Sequence, residues 1–268
     1  MSTGTQPINS LSVFRLEGRV ALIAGGAGAI GSALGEALGA AGASVALASR
    51  TLDHVEAAAQ RVRAAGAESL PIAADVTDRA ECERAVTETV QRFGRLDIIV
   101  NAVGGGAGKV LHAAEAYPEK DWDWIFDLNL KSTVQATEAA VKAMITGGRG
   151  GRVLNISSVR GQLGINAGYS AYVAAKGAIN SLTRQWATEW AKHRITVNAI
   201  APTFVDTPQV ATLLQDKAFK QQLENRIPLG RVGTTQDLIG PALFFCSDAS
   251  AYVTGQVLAI DGGLTATQ

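Results

Sequence analysis

The chain has 268 residues, 47% of them hydrophobic, and its 24 basic and 24 acidic side chains give a formal net charge of zero. That balance offers no electrostatic basis for binding nucleic acid or an anionic membrane, and no apolar run approaches the roughly 20 residues needed to span a bilayer. Cys82 and Cys246 fit neither a disulfide framework nor a metal-ligand spacing, and His54, His112 and His193 are scattered, so no metal site is expected. The polar N-terminus lacks the basic and apolar regions of a signal peptide. A cytoplasmic protein is the expectation.

The first short apolar run, Val20–Ala24, leads into a glycine-rich turn at residues 25–31 and then a helical stripe of Leu34, Ala37, Leu38 and Ala41. Glycines let the backbone approach a phosphate closely, and the following helix N-terminus supplies N–H groups and positive dipole. A second run, Ser44–Ala48, completes the strand, turn, helix, strand context that this reading needs. Beyond it stand Ser49, Arg50 and Thr51, with no acid before Asp53. An acidic residue there would hold a ribose 2′-hydroxyl, whereas the planar fork of Arg50 suits a 2′-phosphate, with Ser49 or Thr51 donating as well.

Leu70–Ala74 is a third run, followed by a helical stripe of Cys82, Val86, Val90 and Phe93. Asp97–Val100 and Arg152–Ile156 are the fourth and fifth, with a flexible turn at Gly147–Gly151 before the latter. Next come Tyr172 and Lys176, with Ile179, Leu182 and Trp186 continuing a helical stripe beyond them. Ile195–Ile200 and Gln256–Ile260 are the sixth and seventh runs. All seven are apolar nearly throughout, as strands covered on both faces are. Strand and helix in alternation imply right-handed crossovers and a doubly wound parallel α/β sheet. No linker or repeat divides the chain, so residues 1–268 read as one domain with an N-terminal tail at 1–15. The segment 203–232 breaks the rhythm and holds one helical stretch, roughly Gln209–Leu223; it is either a substrate-covering lobe or an additional packing helix.

Residues four apart on a helix share a face, so Tyr172 and Lys176 can present a phenol and an ammonium to one small volume. A free phenol has a pKa of about 10, and a nearby cation lowers it towards working pH. The spacing alone is also that of an ordinary helix surface.

The ordered set of motifs resembles the short-chain dehydrogenase/reductase family over essentially the whole chain. It comprises the glycine turn with Gly25, Gly28 and Ile30, then Asp75 and Val76 after the third strand and Asn101 to Gly104 after the fourth. Asn129, Ser158, Tyr172 and Lys176 follow, then Pro202 and Thr207 after the sixth strand and Asp261 to Gly263 after the seventh. The resemblance implies a doubly wound Rossmann domain with a seven-stranded parallel sheet and helices on both faces. It also implies hydride transfer between a nicotinamide cofactor and an alcohol/carbonyl pair. Tyr172 would be the acid/base, Lys176 would lower its pKa and bind the nicotinamide ribose, Ser158 would donate to the carbonyl oxygen, and Asn129 would hold a water beside Lys176. Ser157 is the rival serine. Gly25, Gly28, Ile30, Ser49, Arg50, Asp75, Val76, Asn101, Tyr172, Lys176, Val205 and Thr207 would contact the cofactor, read as NADP(H) in preference to NAD(H). Three departures stand out: Ala29 replaces the family's middle glycine, Ala102 replaces an asparagine, and Thr203 replaces the glycine after Pro202.

Substrate identity stays open among sugar acids, polyols, acyl thioesters and aryl ketones. Arg160, Leu163 and Phe204 are the candidate substrate contacts. Arg160 either receives a carboxylate or phosphate or is salt-bridged or solvated, and Lys109 has the same ambiguity. A non-catalytic dinucleotide sensor or scaffold of the same fold is the alternative from another class, and an NAD(H)-dependent polyol or sugar-acid dehydrogenase the alternative within the class. Enoyl reductases of this fold usually space the tyrosine and lysine more widely. The resemblance implies a homotetramer. Trp186 and Trp190 on one helix face, together with an apolar final strand, suggest two contact surfaces.

Overall fold

The computed structural model describes residues 11–267; residues 1–10 of the expected N-terminal tail lie outside the described residues. The seven apolar runs form strands β1 (Val20–Ala24), β2 (Ser44–Ser49), β3 (Ser69–Ala73), β4 (Ile98–Asn101), β5 (Gly151–Ile156), β6 (Ile195–Pro202) and β7 (Val257–Ile260). They make one sheet in the order β3-β2-β1-β4-β5-β6-β7, and every neighbouring pair is parallel. The helices are α1 (Ala29–Ala40), α2 (Leu52–Ala64), α3 (Arg79–Phe93), α4 (Glu119–Phe126), α5 (Ser132–Gly147), α6 (Ser170–Trp190), α7 (Ala211–Gln215), α8 (Lys217–Arg226) and α9 (Gln236–Cys246).

The lack of alternation in the strands follows from cover on both faces. Val20, Leu22 and Ala24 of β1 point into one apolar layer with Val86 of α3, Met144 of α5 and Trp186 of α6. Ala21 and Ile23, between them, point into the other layer with Leu34 of α1, Val55 of α2 and Leu238 of α9. Strand order reverses at β1, which lies between β2 and β4. A crevice therefore opens at the carboxyl ends of β1 and β4, where open α/β sheets place their ligands.

Two expectations are corrected here. The single helix expected over Gln209–Leu223 is two, because Asp216 takes an extended backbone that ends α7. Its carboxylate then caps α8, accepting from the amides of Ala218 at 2.9 Å and Phe219 at 3.1 Å. The second correction concerns the tryptophans, which form no exposed patch. Trp186 is buried in the core layer beneath α6 and stacks on the partly buried Trp190, with ring centroids 5.2 Å apart. The final strand does leave an apolar edge, with Leu258 43% exposed.

The segment between β6 and α9 leaves and rejoins the sheet at one point. Val205 and Gly233 form a parallel bridge, with the Asp206 amide donating to the Gly233 carbonyl at 2.8 Å and the Gly233 amide to the Phe204 carbonyl at 3.1 Å. Helices α7 and α8 lie between these feet, above the carboxyl end of β6.

Candidate active site

At the end of β1 the chain turns through Gly25, whose φ of 84° lies in the left-handed region. A Cβ there would come within 2.8 Å of the Ala102 carbonyl carbon and the Val103 nitrogen beyond β4. One at Gly31 would strike the Gly25 carbonyl. The turn forms with Ala29 in place of the family's glycine because Gly25, Gly26 and Gly31 make the close approaches. Gly28 is the N-cap of α1, with no side chain bonded over the first-turn amides. These amides, and Ile30 in the first turn, therefore face the crevice. Ser49 closes β2, Arg50 is exposed just beyond it, and Asp53 lies in the first turn of α2. A Cβ-tight turn, open helix amides and an arginine at the next strand end fit a dinucleotide phosphate group.

Asp75 and Val76 form the turn after β3. The Asp75 carboxylate accepts from the Thr77 amide at 3.0 Å and hydroxyl at 2.8 Å, while Val76 is buried. The side chain of Asn101, expected on the cofactor, instead points inward. It is 2% exposed and its amide nitrogen donates to Thr137 Oγ1 at 2.8 Å and Asn155 Oδ1 at 2.9 Å, tying β4 to α5 and β5.

Helix α6 brings Tyr172 and Lys176 to one face. The Tyr172 phenol lies beside the Ser158 side chain, which acts on its proton affinity. Ser158 itself accepts from the Arg160 amide at 3.1 Å and donates to the Pro202 carbonyl at 3.4 Å. Ser157 faces away and donates to Asn180 Oδ1 at 2.5 Å. Lys176 is 3% exposed, and its ammonium donates to the Ile156 carbonyl at 2.9 Å. Burial lowers its pKa from 10.5 to about 8. The sequence led us to expect that Lys176 would draw the Tyr172 phenol down. Instead burial raises the phenol, opposed by the neighbouring Ser158. The ammonium lies 5.7 Å from the centroid of the tyrosine ring and is turned to a backbone carbonyl. Desolvation therefore outweighs the charge.

Asn129 occupies a π turn, Asp127–Lys131, between α4 and α5. Such a turn shifts the ladder to i→i+5 bonds, and the Asn129 side chain meets the Ile125 carbonyl, four residues back, at 3.0 Å. Its amide group also grips Gly105 twice, accepting from the nitrogen at 2.8 Å and donating to the oxygen at 3.1 Å. This clamp holds Gly104 between Asn129 and Lys176: a Cβ on Gly104 would lie 2.8 Å from Asn129 Oδ1 and 3.1 Å from Lys176 Nζ. The sequence reading missed the Gly104–Gly106 run, although three glycines directly after a strand were its available signal.

Of the expected substrate contacts, Arg160 is 7% exposed and makes no salt bridge among the described residues; its Nη1 donates to the Gly164 carbonyl at 2.8 Å. It lines a small cleft with Thr203, Phe204, Leu223 and Arg226. Phe204 packs edge-on against Phe219 of α8, with centroids 6.0 Å apart. Leu163 is half-buried in the loop before α6, Val205 is buried at the sheet bridge, and Thr207 is half-buried beside it. Lys109 is exposed on a short turn. His112 pairs with Asp121 at 2.7 Å. Among the described residues no cluster of side chains is suited to hold a metal ion, and no helix is long and apolar enough to cross a membrane.

A parallel sheet with a glycine cradle at its reversal point and a tyrosine, lysine and serine beside it defines a Rossmann-type oxidoreductase. A family model described as enoyl-(acyl carrier protein) reductase matches residues 25–265. The chain is 37% identical over 256 residues to 2-dehydro-3-deoxy-D-gluconate 5-dehydrogenase of Dickeya dadantii, covering 94% of this chain and 98% of that protein. It is 38% identical over 250 residues to 3-oxoacyl-[acyl-carrier-protein] reductase of Thermotoga maritima, covering 93% and 99%. Among solved structures, a gluconate 5-dehydrogenase from Burkholderia cenocepacia in complex with NADP and tartrate superimposes with a TM-score of 0.88 at 35% identity, covering 96% and 98%. The chain belongs to the short-chain dehydrogenase/reductase family.

The buried lysine makes stability depend on pH. The folded chain releases the Lys176 proton at about pH 8 and the unfolded chain at about 10.5. Below pH 8 both states are charged and the burial penalty is full. Between the two values the unfolded chain binds more protons, so stability rises with pH. Lys176→Met is expected to be more stable than wild type at pH 7 by up to about 3 kcal/mol, at about 1.4 kcal/mol per pKa unit. The gap should close as the pH approaches 10.5. Urea unfolding at pH 7 and 10 checks this; an equal gap at both values would show that no charge is buried there.

Proposed function

We propose that this protein is an NADP(H)-dependent oxidoreductase that interconverts a ketone and a secondary alcohol, with Tyr172 as acid and base. The observation that carries the reading is the placing of the Tyr172 phenol beside Ser158, with the buried Lys176 one turn along the same helix. The glycine turn and the first turn of α1 would hold the pyrophosphate, Arg50 and Ser49 the 2′-phosphate, and Lys176 the nicotinamide ribose. When bound, the nicotinamide supplies or accepts the hydride. Ser158 then donates to the substrate oxygen where negative charge grows, and Tyr172 delivers the proton. A phenol raised by burial keeps that proton at neutral pH, which suits the reducing direction. Asn129 clamps the loop that holds Gly104 against the lysine, which places it beside Lys176 for the water-holding role implied by the resemblance. The NADP(H) reading is supported by the exposed Arg50 and by the NADP complex of the B. cenocepacia structure.

The substrate lobe is read as residues 203–232, and the whole chain as one functional unit acting on a small carbonyl or alcohol. A cytoplasmic setting agrees with two buried, unbridged cysteines whose thiols burial pushes up to about 12. The proposed assembly is a homotetramer. Of its two sequence arguments, only the apolar edge at β7 stands.

Tyr172→Phe should lower turnover about 10²- to 10⁴-fold, the range typical of acid–base catalysis, with cofactor binding retained. Rates on a panel of ketones, polyols and sugar acids, followed by nicotinamide absorbance, measure this. Retention of more than a tenth of wild-type activity would mean that another group delivers the proton.

Arg50→Asp should reverse the preference from NADP(H) towards NAD(H), because it replaces a phosphate donor with a like charge. Matched kcat/KM values for the two cofactors read it out, and equal use of both by wild type would remove Arg50 from the site. Light scattering at micromolar concentration should give a four-subunit mass; a monomer would end the assembly proposal, and a dimer would leave one interface.

A further inference from the structure

We propose that the buried guanidinium of Arg160 is a carboxylate receptor, so that the substrate is an oxo or hydroxy acid whose charged end docks between β6 and α8. The inference rests on the ketone–alcohol reading above for the position of the reacting carbonyl. Arg160 lies two residues beyond Ser158 in the turn that closes β5. It is 93% buried, and its Nη1 donates to the Gly164 carbonyl at 2.8 Å. Among the described residues no carboxylate pairs with it. The titratable groups that act on it are Arg226, Tyr169 and Tyr172.

A guanidinium seldom stays this deep without an anion, because desolvation of the charge is left uncompensated. The strain is visible in its surroundings. Burial and the neighbouring Arg226 both lower the affinity of Arg160 for its proton, while the Tyr169 and Tyr172 phenols raise it. Arg226, in the last turn of α8, faces the same cleft and adds a second positive charge. The remaining walls include Phe204, Leu223 and Ile227. The planar fork of Arg160, in a cleft whose other walls are apolar apart from Arg226 and Thr203, complements a planar carboxylate bidentately. The same arginine is within electrostatic reach of Tyr172, so an acid gripped there holds its carbonyl end near the proton donor.

The test compares molecules that differ only in charge. Initial rates with NADPH are measured for pyruvate, acetoacetate and levulinate against their methyl esters, and for dihydroxyacetone phosphate against dihydroxyacetone. Wild type, Arg160→Gln and Arg160→Lys are compared. Calorimetric titration of NADPH-loaded protein with D-gluconate and with its uncharged counterpart D-glucitol reports binding independently of turnover. In wild type at least one acid should exceed its ester about tenfold or more in kcat/KM, as a site built for a polar group rejects the analogue lacking it. That ratio should fall towards one in Arg160→Gln, through KM more than kcat, and be partly kept in Arg160→Lys. Gluconate should bind wild type more tightly than glucitol does, and Arg160→Gln should lose the difference. Esters reduced as well as acids, or an acid preference untouched in a folded Arg160→Gln, overturns the proposal, as does a preference confined to the phosphate. If Arg160→Gln does not fold, an unchanged ratio in Arg160→Lys is the overturning result. If wild type reduces none of these ketones, the reductase reading fails separately, and equal binding of gluconate and glucitol then overturns the carboxylate site.

Discussion

An ammonium group held in the protein interior sets the terms for the rest of the site. Lys176 is too deep for solvent to stabilise its charge, so the surrounding backbone has to do so. Strand β5 ends where the Ile156 carbonyl can accept from it. The π turn before α5 presents Asn129 to Gly105, and this pins Gly104 where any side chain would crowd the ammonium. Two helices, a strand end and a loop thus converge on one charge. Displacing any of them removes an oxygen contact or admits a bulky group.

The same burial acts on Tyr172 in the opposite sense. Low polarity favours the neutral amine and the neutral phenol together, lowering one pKa and raising the other. At neutral pH the phenol keeps its proton while the amine is within about a unit of losing one.

What the sequence makes legible is the part governed by local chemistry. Unbroken apolar runs fix parallel strands, and glycines between a strand and a helix fix a close turn. Tyr172 and Lys176 four apart fix a shared helix face. What stays hidden depends on contacts distant in sequence. The inward turn of Asn101 is set by Thr137 and Asn155, which only the packed sheet brings near. Trp186 and Trp190 look like an exposed stripe by spacing, yet the breadth of the layer under α6 absorbs them. The electrostatic relation of lysine to tyrosine is inverted because burial, invisible in a motif, outweighs a charge aimed at a carbonyl. Asp216 differs from these: an acid within a helical stretch is a cap signal carried by the sequence itself.

The bridge of Val205 to Gly233 has an evolutionary consequence. Because the chain leaves and re-enters the sheet through a single pair of residues, the excursion between them is an Ω-like loop with its feet together. Lengthening such a loop raises its closure entropy only slowly, by about 0.6 kcal/mol per doubling. Residues 206–232 can therefore gain, lose or exchange whole turns while the sheet, the glycine cradle and the tyrosine–lysine helix keep their register. Change in that one pinned loop is thereby uncoupled from the sheet beneath it.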